Sequence, residues 1–364
     1  MRRNSFNRFF FHFFPIPNFF AAPSFGLDIS DESIKYVELI ETRRGLGLGR
    51  YGEKDIPAGI IESGKIKDPK RMQEIMTALR KEAGMKSVRV SLPEEQVYLF
   101  NHNLEKSGIE DIRESIELVL EEHIPINAED AIFDYEIIKD NPQSLEIEVA
   151  TIPKNVIEEY LSIFESSNIR VQSFELEAQA ISRSIIKDGD EETYMIVDFG
   201  KNRTGIFIVS RGIVMFTSTL DIGGSTLTNM IAKNFNISIE EAEKLKQTSG
   251  LMRNTENKEI FPVLLNSVSV LRDEIVKHLL YWQTHKNEKG ENNPPIKKII
   301  LCGRASNLPG ICDYFSISTK HKVEMANVWT NVLDTNQSTP AVNFGESLGL
   351  STAIGLALGD FENN

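Results

Sequence analysis

Two segments of this sequence place an aspartate where an apolar run ends, then a tight turn and a second apolar run. In FGLDISDESIKYVEL, Asp28 closes the first run, Ser30 begins the turn, and Lys35 stands just inside the next run. In IVDFGKNRTGIFIV, Asp198 takes the same place, followed by Gly200, Lys201, Asn202 and Thr204. A hairpin turn can cradle phosphate with consecutive backbone N–H groups while a lysine neutralises anionic oxygens. An aspartate beside it suits hydrated Mg2+, which keeps most of its waters and takes few carboxylates. Asp28 and Asp198 are therefore the candidate metal ligands. Alone, either segment is a common structural turn; the repetition, 170 residues apart, points to two hairpins facing each other across a triphosphate.

Three further segments extend the candidate site. In LDIGGSTL, Gly223 and Gly224 let backbone approach a ligand at a helix start. In EEAEKLKQ, Glu243 and Lys246 are three residues apart on one helix face, placed to meet ribose or base or to form a solvated ion pair. LCGRASNLPG ends a strand at Gly303 and turns through Arg304 and Ser306, an adenosine-facing loop in this reading. Two motif matches are rejected. Gly59 to Lys65 fits GxxxxGK, but Ile66 follows the lysine where a P-loop needs Ser or Thr, and Glu62 would face the phosphates. Gly47, Gly49 and Gly52 fit GxGxxG but lie between strands, not before a helix, and read as a hairpin turn.

The elements that must position these residues can be read from periodicity. Residues 24–56 alternate as a β-meander, 69–83 form a helix, and VRVSL is a strand. A smaller unit begins near Pro93, with a helix opened by a capping box at Ser107 and Glu110 and stopped at Pro125, then two strands and a helix from Asn155 to Ser167. At Tyr194 the meander restarts, and a long helix carries Leu264, Val268, Leu271, Ile275 and Leu279 on one stripe. At 364 residues the chain exceeds the size of one core.

Composition narrows the class. A net charge of −13 repels polyphosphate backbones and argues against a nucleic-acid partner. Two cysteines, Cys302 and Cys312, give no disulfide framework, and the histidines show no metal-ligand spacing. The first 22 residues stand apart, with Arg2, Arg3, Arg8 and clustered phenylalanines. They read as a disordered or packed tail, or as an arm whose rings enter a membrane surface while the arginines meet anionic lipid. Pro15, Pro17 and Asn18 interrupt a secretory-signal reading.

The ordered set of two phosphate hairpins, GG-helix, AEKLK helix and CGRASNLPG loop resembles the actin, FtsA and heat-shock chaperone ATPase superfamily. Within it the chain resembles the PilM family of type IV pilus assembly from about Phe25 to Gly359, including the segments IPAGIIESGKIKD, VSLPEEQVYLF and EEHIPINAEDAIFDYEII. The resemblance implies an α/β actin-like (ribonuclease H-like) two-lobed fold with an inserted small subdomain. The boundaries expected are an arm at 1–23, a first lobe at 24–91 plus 168–194, the insert at 92–167 and a second lobe at 195–364. It implies ATP and Mg2+ as cofactors, and as partner the cytoplasmic N-terminal peptide of a PilN-like inner-membrane protein. A cytoplasmic location peripheral to that membrane follows, with self-association as a further option. By the same analogy Glu177 occupies the place that positions an attacking water, in an ATPase that is weak at most. The alternatives are a nucleotide-free adaptor of this fold and an FtsA-like membrane-tethered filament protein.

Three departures bear on the site. The first turn has Ser30 where the family pattern has glycine, and Asp31 and Glu32 add repulsion toward phosphate unless they point outward. Arg304 replaces a second glycine in the adenosine loop, with bulk to block or stack on a base. Lys201 offsets part of the added negative charge.

Overall fold

The computed structural model describes residues 24–43, 45–106, 111–252, 259–286, 290–333 and 339–361; the N-terminal arm and the Ser107–Glu110 capping box lie outside them. Strands β1 (Phe25–Ile29), β2 (Ser33–Thr42) and β3 (Gly45–Asp55) form the expected antiparallel meander. Gly47, Gly49 and Gly52 lie within β3, not in its turn, which corrects the hairpin-turn reading. Cross-strand side chains cover two of these positions: a Cβ on Gly49 would come within 2.9 Å of Glu38 Oε2, and on Gly52 within 2.6 Å of the Tyr36 hydroxyl. The rejected P-loop match forms a small hairpin, β4 (Ile61–Glu62) with β5 (Lys65–Ile66), turning through Ser63 and Gly64.

Helix α1 (Pro69–Ala83) is bounded by its own chemistry. Asp68 accepts the Arg71 N–H as N-cap, proline fits the first turn, and Gly84 ends the helix at φ 65°. Met72, Met76 and Leu79 form its buried stripe. Strand β6 (Ser87–Leu92) then pairs parallel to β1. The insert follows as β7 (Tyr98–Glu105), α2 (Ile112–His123), β8 (Ala131–Asp140) and β9 (Ser144–Pro153), with sheet order β7-β9-β8. Asp111 caps α2, whose Ile116 and Leu120 pack on Leu145, Ile147 and Val149 to make a separate small core. Helix α3 (Lys154–Ser166) packs with the first lobe through Val156, Tyr160, Ile163 and Phe164. Strand β10 (Arg170–Leu176) joins β6 in parallel, and α4 (Glu177–Ile185) follows it.

The second lobe repeats the plan with β11 (Thr193–Phe199), β12 (Thr204–Ser210) and β13 (Ile213–Leu220), then α5 (Gly224–Phe235), α6 (Ile239–Ser249) and α7 (Ile260–Thr284). Strand β14 (Ile296–Cys302), α8 (Ile311–Thr319) and β15 (Val323–Met325) complete its sheet. Sheet orders are β10-β6-β1-β2-β3 and β13-β12-β11-β14-β15, so each lobe is an antiparallel meander extended by two parallel strands on the side of its first strand. Duplicated topology puts β1 and β11 at the centre of their sheets, and both end at the same edge in an aspartate-bearing turn.

Helices α9 (Phe344–Ser347) and α10 (Ser351–Leu358) close the chain. Helix α10 packs on β1, β2 and α4, so the last helix is shared with the first lobe. Only glycine permits that contact: a Cβ on Gly26 would lie 1.9 Å from the Ala353 carbonyl, and on Gly355 1.7 Å from that of Ala180. Asp360 then accepts from the Ser24 N–H at 2.6 Å and from Arg89 Nε at 2.8 Å.

Candidate functional site

The two aspartate turns face each other across the cleft between the lobes. Asp28 sits opposite Lys35 in the β1–β2 register, and Lys35 Nζ donates to Asp28 Oδ2 at 3.4 Å. Ser91, at the adjoining end of β6, donates its hydroxyl to Asp28 Oδ1 and accepts the Ile29 N–H, fixing the carboxylate against the strand end. Asp198 ends β11 with Cys302 Sγ 3.7 Å away on β14. Lys35 lies deep in the cleft with its side chain 21% exposed. Burial alone would lower its pKa, but Asp28 and Asp198 outweigh that and hold it above its usual value. Burial, with Asp28 beside it, pushes Asp198 up to about 6, and Lys35 only partly offsets this.

Glu177 opens α4 at this same place. Burial and the nearby Asp28, Glu94 and Asp198 push its carboxyl well above the ordinary range, with Lys35 opposing. Glu94, which sequence reading missed, completes the cluster. It accepts the Ala178 N–H at 3.0 Å at the start of α4, and burial raises it to about 7. Its signal was available: Pro93-Glu94-Glu95 directly follows β6, and in open sheets ligands gather beyond the carboxyl ends of the parallel strands. Asp28, Asp198 and Glu177 thus share one lysine, and Glu94 adjoins Asp198 and Glu177.

The remaining expected residues brace the Asp198 turn. Gly224 and Ser225 donate their N–H groups to the carbonyls of Gly200 and Lys201, so α5 starts against the turn itself. A Cβ on Gly223 would lie 2.4 Å from the Lys201 oxygen, so this glycine lets α5 start against the turn. Lys246, 7% exposed, donates to the Gly224 carbonyl, Thr228 and Glu243, so the lysine end of the pair is a buried brace while the Glu243 side chain stays 41% exposed. Thr204 and Ser306 face inward, with hydroxyls bonded to the carbonyls of Ile222 and Cys302. Gly303 has φ +80° and a Cβ there would lie 2.4 Å from Asp198 Oδ1. Asn202 hydrogen-bonds the Glu32 carboxylate.

The residues that departed from the expected pattern find partners across the cleft. Glu32 pairs with Lys201 at 2.7 Å, and Asp31 with Arg203 at 3.0 Å. Arg304 reaches Glu53 on β3 at 2.7 Å, which directs its guanidinium to the first lobe. Ser30 is accommodated because its backbone is not among the left-handed residues; its hydroxyl bonds the Ser33 carbonyl.

A triphosphate with a hydrated divalent ion fits these donors in kind. Lys35 between two strand-end aspartates supplies one cation and two carboxylates. Among the described residues no group of three or more His, Cys, Asp or Glu side chains converges to hold a metal ion, and magnesium needs no such cage. Among the same residues no helix is long and apolar enough to cross a membrane.

Comparisons with known proteins agree with this architecture. The cell division protein FtsA of Enterococcus hirae is 26% identical over 361 residues, covering 85% of this chain and 81% of that protein. A solved PilM–PilN type IV pilus biogenesis complex superposes with TM-score 0.75 at 18% identity, covering 94% of this chain and 99% of that one. MreB5 of Spiroplasma citri bound to ADP superposes with TM-score 0.51 at 16% identity, covering 94% and 99%. The fold is therefore the actin-like two-lobed one. A family model described as type IV pilus assembly protein PilM matches residues 26–361, and the chain belongs to that family.

Proposed function

We propose that this chain binds ATP with Mg2+ between its lobes and serves as a nucleotide-responsive, cytoplasmic scaffold of the type IV pilus inner-membrane platform. The observation that carries the reading is the placement of Asp28 and Asp198 at equivalent strand ends on either side of Lys35. Bound magnesium would supply positive charge to an otherwise acidic cleft. Lys35 would meet phosphate oxygens, and Asp28 and Asp198 are the residues that would hold the hydrated ion. Burial and the neighbouring carboxyls raise Glu177 well above its ordinary range, and burial raises Glu94 to about 7.

Calorimetric titration of Mg·ATP tests the reading. The parent is expected to bind, and Asp28→Ala or Asp198→Ala to lose binding; a parent that takes up no nucleotide sinks it. In that case the nucleotide-free adaptor holds, which the existing partners of Lys201, Arg203 and Arg304 favour. For the protein partner, the PilM–PilN likeness supports a PilN-like cytoplasmic tail. A cavity of about 800 Å³ between the insert and the start of α3, lined by Glu121, Ile126, Asp130, Pro153 and Glu158, offers apolar contact and acidic charge for a basic peptide. Fluorescence anisotropy with such a tail peptide should show weaker binding by Asp130→Lys/Glu158→Lys; unchanged affinity would move the peptide elsewhere.

A further inference from the structure

We propose that the acidic β1–β2 turn is a built-in counter-anion: Asp31 and Glu32 hold Arg203 and Lys201 across the cleft mouth, and a polyphosphate enters by displacing them. This rests on the nucleotide reading above and adds the regulation of that site.

The carrying observation is the segregation of charge. Each of these ion pairs across the mouth takes its base from the second lobe and its acid from the other side: Glu32 with Lys201, Asp31 and Glu95 with Arg203, and Glu53 with Arg304. Such pairs draw the lobes together and leave the cations that would meet phosphate already neutralised. Asp31 is also held from behind. It accepts the N–H groups of Ser63 and Gly64, both at 3.0 Å, which aims its carboxylate at Arg203. This gives the Gly59–Lys65 segment a role it lacks as a P-loop. Its turn is specialised: Ser63 adopts φ 50°, Gly64 φ 73°, and a Cβ on Gly64 would lie 2.3 Å from Pro93. Ser63 Oγ lies 3.4 Å from Arg203, so the same turn touches both members of the pair. Arg203 also meets Asp221 of its own lobe at 3.4 Å, a partner that remains when the lobes part. Burial would raise the Glu32 pKa, yet hydrogen bonds from Lys201 and Asn202 lower it, so Glu32 stays ionised at neutral pH.

Two measurements on the full chain test this. First, Mg·ATP affinity is compared between the parent and Asp31→Asn/Glu32→Gln. Removing the internal anion should tighten binding about three- to tenfold, the range open to pairs this exposed; equal or weaker binding overturns the proposal. Second, without nucleotide, spin labels at Lys65→Cys and Thr219→Cys in a Cys312→Ser background report lobe separation. In the parent the distance should lengthen from about 0.01 M to about 1 M salt, as the screening length falls from about 30 Å to about 3 Å. In Asp31→Asn/Glu32→Gln it should be long already at low salt. Lys201→Glu should open the cleft, and Glu32→Lys with Lys201→Glu should close it again. A distance insensitive to salt and to these changes overturns the latch, even if ATP binds. A salt-sensitive, swap-restored distance with no ATP binding by any variant upholds the latch and sinks only the nucleotide reading.

Discussion

The β1–β2 turn reads Ser30-Asp31-Glu32-Ser33 and the β11–β12 turn reads Gly200-Lys201-Asn202-Arg203. Both follow an aspartate by two residues, both are closed by a backbone bond from the first residue to the fourth, and they carry opposite charge. The strands differ as well: Lys35 stands opposite Asp28, whereas Gly205 stands opposite Asp198. A lysine is excluded there because a Cβ on Gly205 would lie 2.4 Å from the Phe207 ring. Duplication preserved the backbone frame and the strand-end aspartate, while the side chains that meet across the gap became complementary. One lysine, from one side, serves both aspartates.

The strongest way to break this asymmetry is Lys35→Ala. It leaves Asp28, Asp198 and Glu177 without their shared cation, and removing one partner of a buried charge cluster costs about 3–5 kcal/mol. The loss should be largest near pH 8 and smaller near pH 5, where the raised carboxyls are protonated. Urea denaturation at both values checks it, and an equal loss at both would remove the charge explanation.

Gly303→Ala attacks the second half alone. The left-handed φ and the 2.4 Å contact with Asp198 together predict a loss of about 2–3 kcal/mol. Nucleotide affinity should fall with it, and thermal melting with and without Mg·ATP separates the two.

Two first-lobe acids should respond to pH with opposite signs. Glu94 is raised to about 7, so its favourable share exists below about pH 4.5 and is lost as pH climbs to about 7. Glu94→Gln should therefore stabilise by about 3 kcal/mol at pH 8 and by little at pH 4.5. Glu32 is lowered, so its share exists above about pH 4.5 and is lost as pH falls below that. At 39% exposure Glu32→Gln should cost only a few tenths of a kcal/mol at pH 8, or about 0.3. Matching pH slopes for the two variants would contradict this contrast.

Ser30→Gly makes the turns more alike and should have the smallest effect. It removes the hydroxyl bonds to Ser33 and adds backbone freedom, costing about 0.5–1 kcal/mol without changing nucleotide affinity. Tighter nucleotide binding by this variant would mean that the serine obstructs the site.

Much of this arrangement could be read before folding because it rests on local pattern. The meanders announce themselves by alternation, α1 by Asp68-Pro69 and Gly84, and α7 by its apolar stripe. What local pattern misplaced were features set by neighbours. The β3 glycines looked like a turn because their reason for being small lies on β2, in Tyr36 and Glu38. Glu94 escaped notice because it acts on α4, whose Ala178 is 84 residues away in sequence. The close packing of Gly223 on the Lys201 carbonyl likewise comes from a turn 22 residues earlier in the chain.

The sequence by itself determined the repeated strand–aspartate–turn frame, because strand period and turn chemistry are properties of a few adjacent residues. It also set the charge of each turn. Only tertiary structure decided which charges meet. Asp31 and Glu32 look like a defect in a phosphate turn until the second lobe brings Arg203 and Lys201 within 3.0 Å and 2.7 Å. The sign of that interaction depends on distance across a cleft, and no local spacing encodes it.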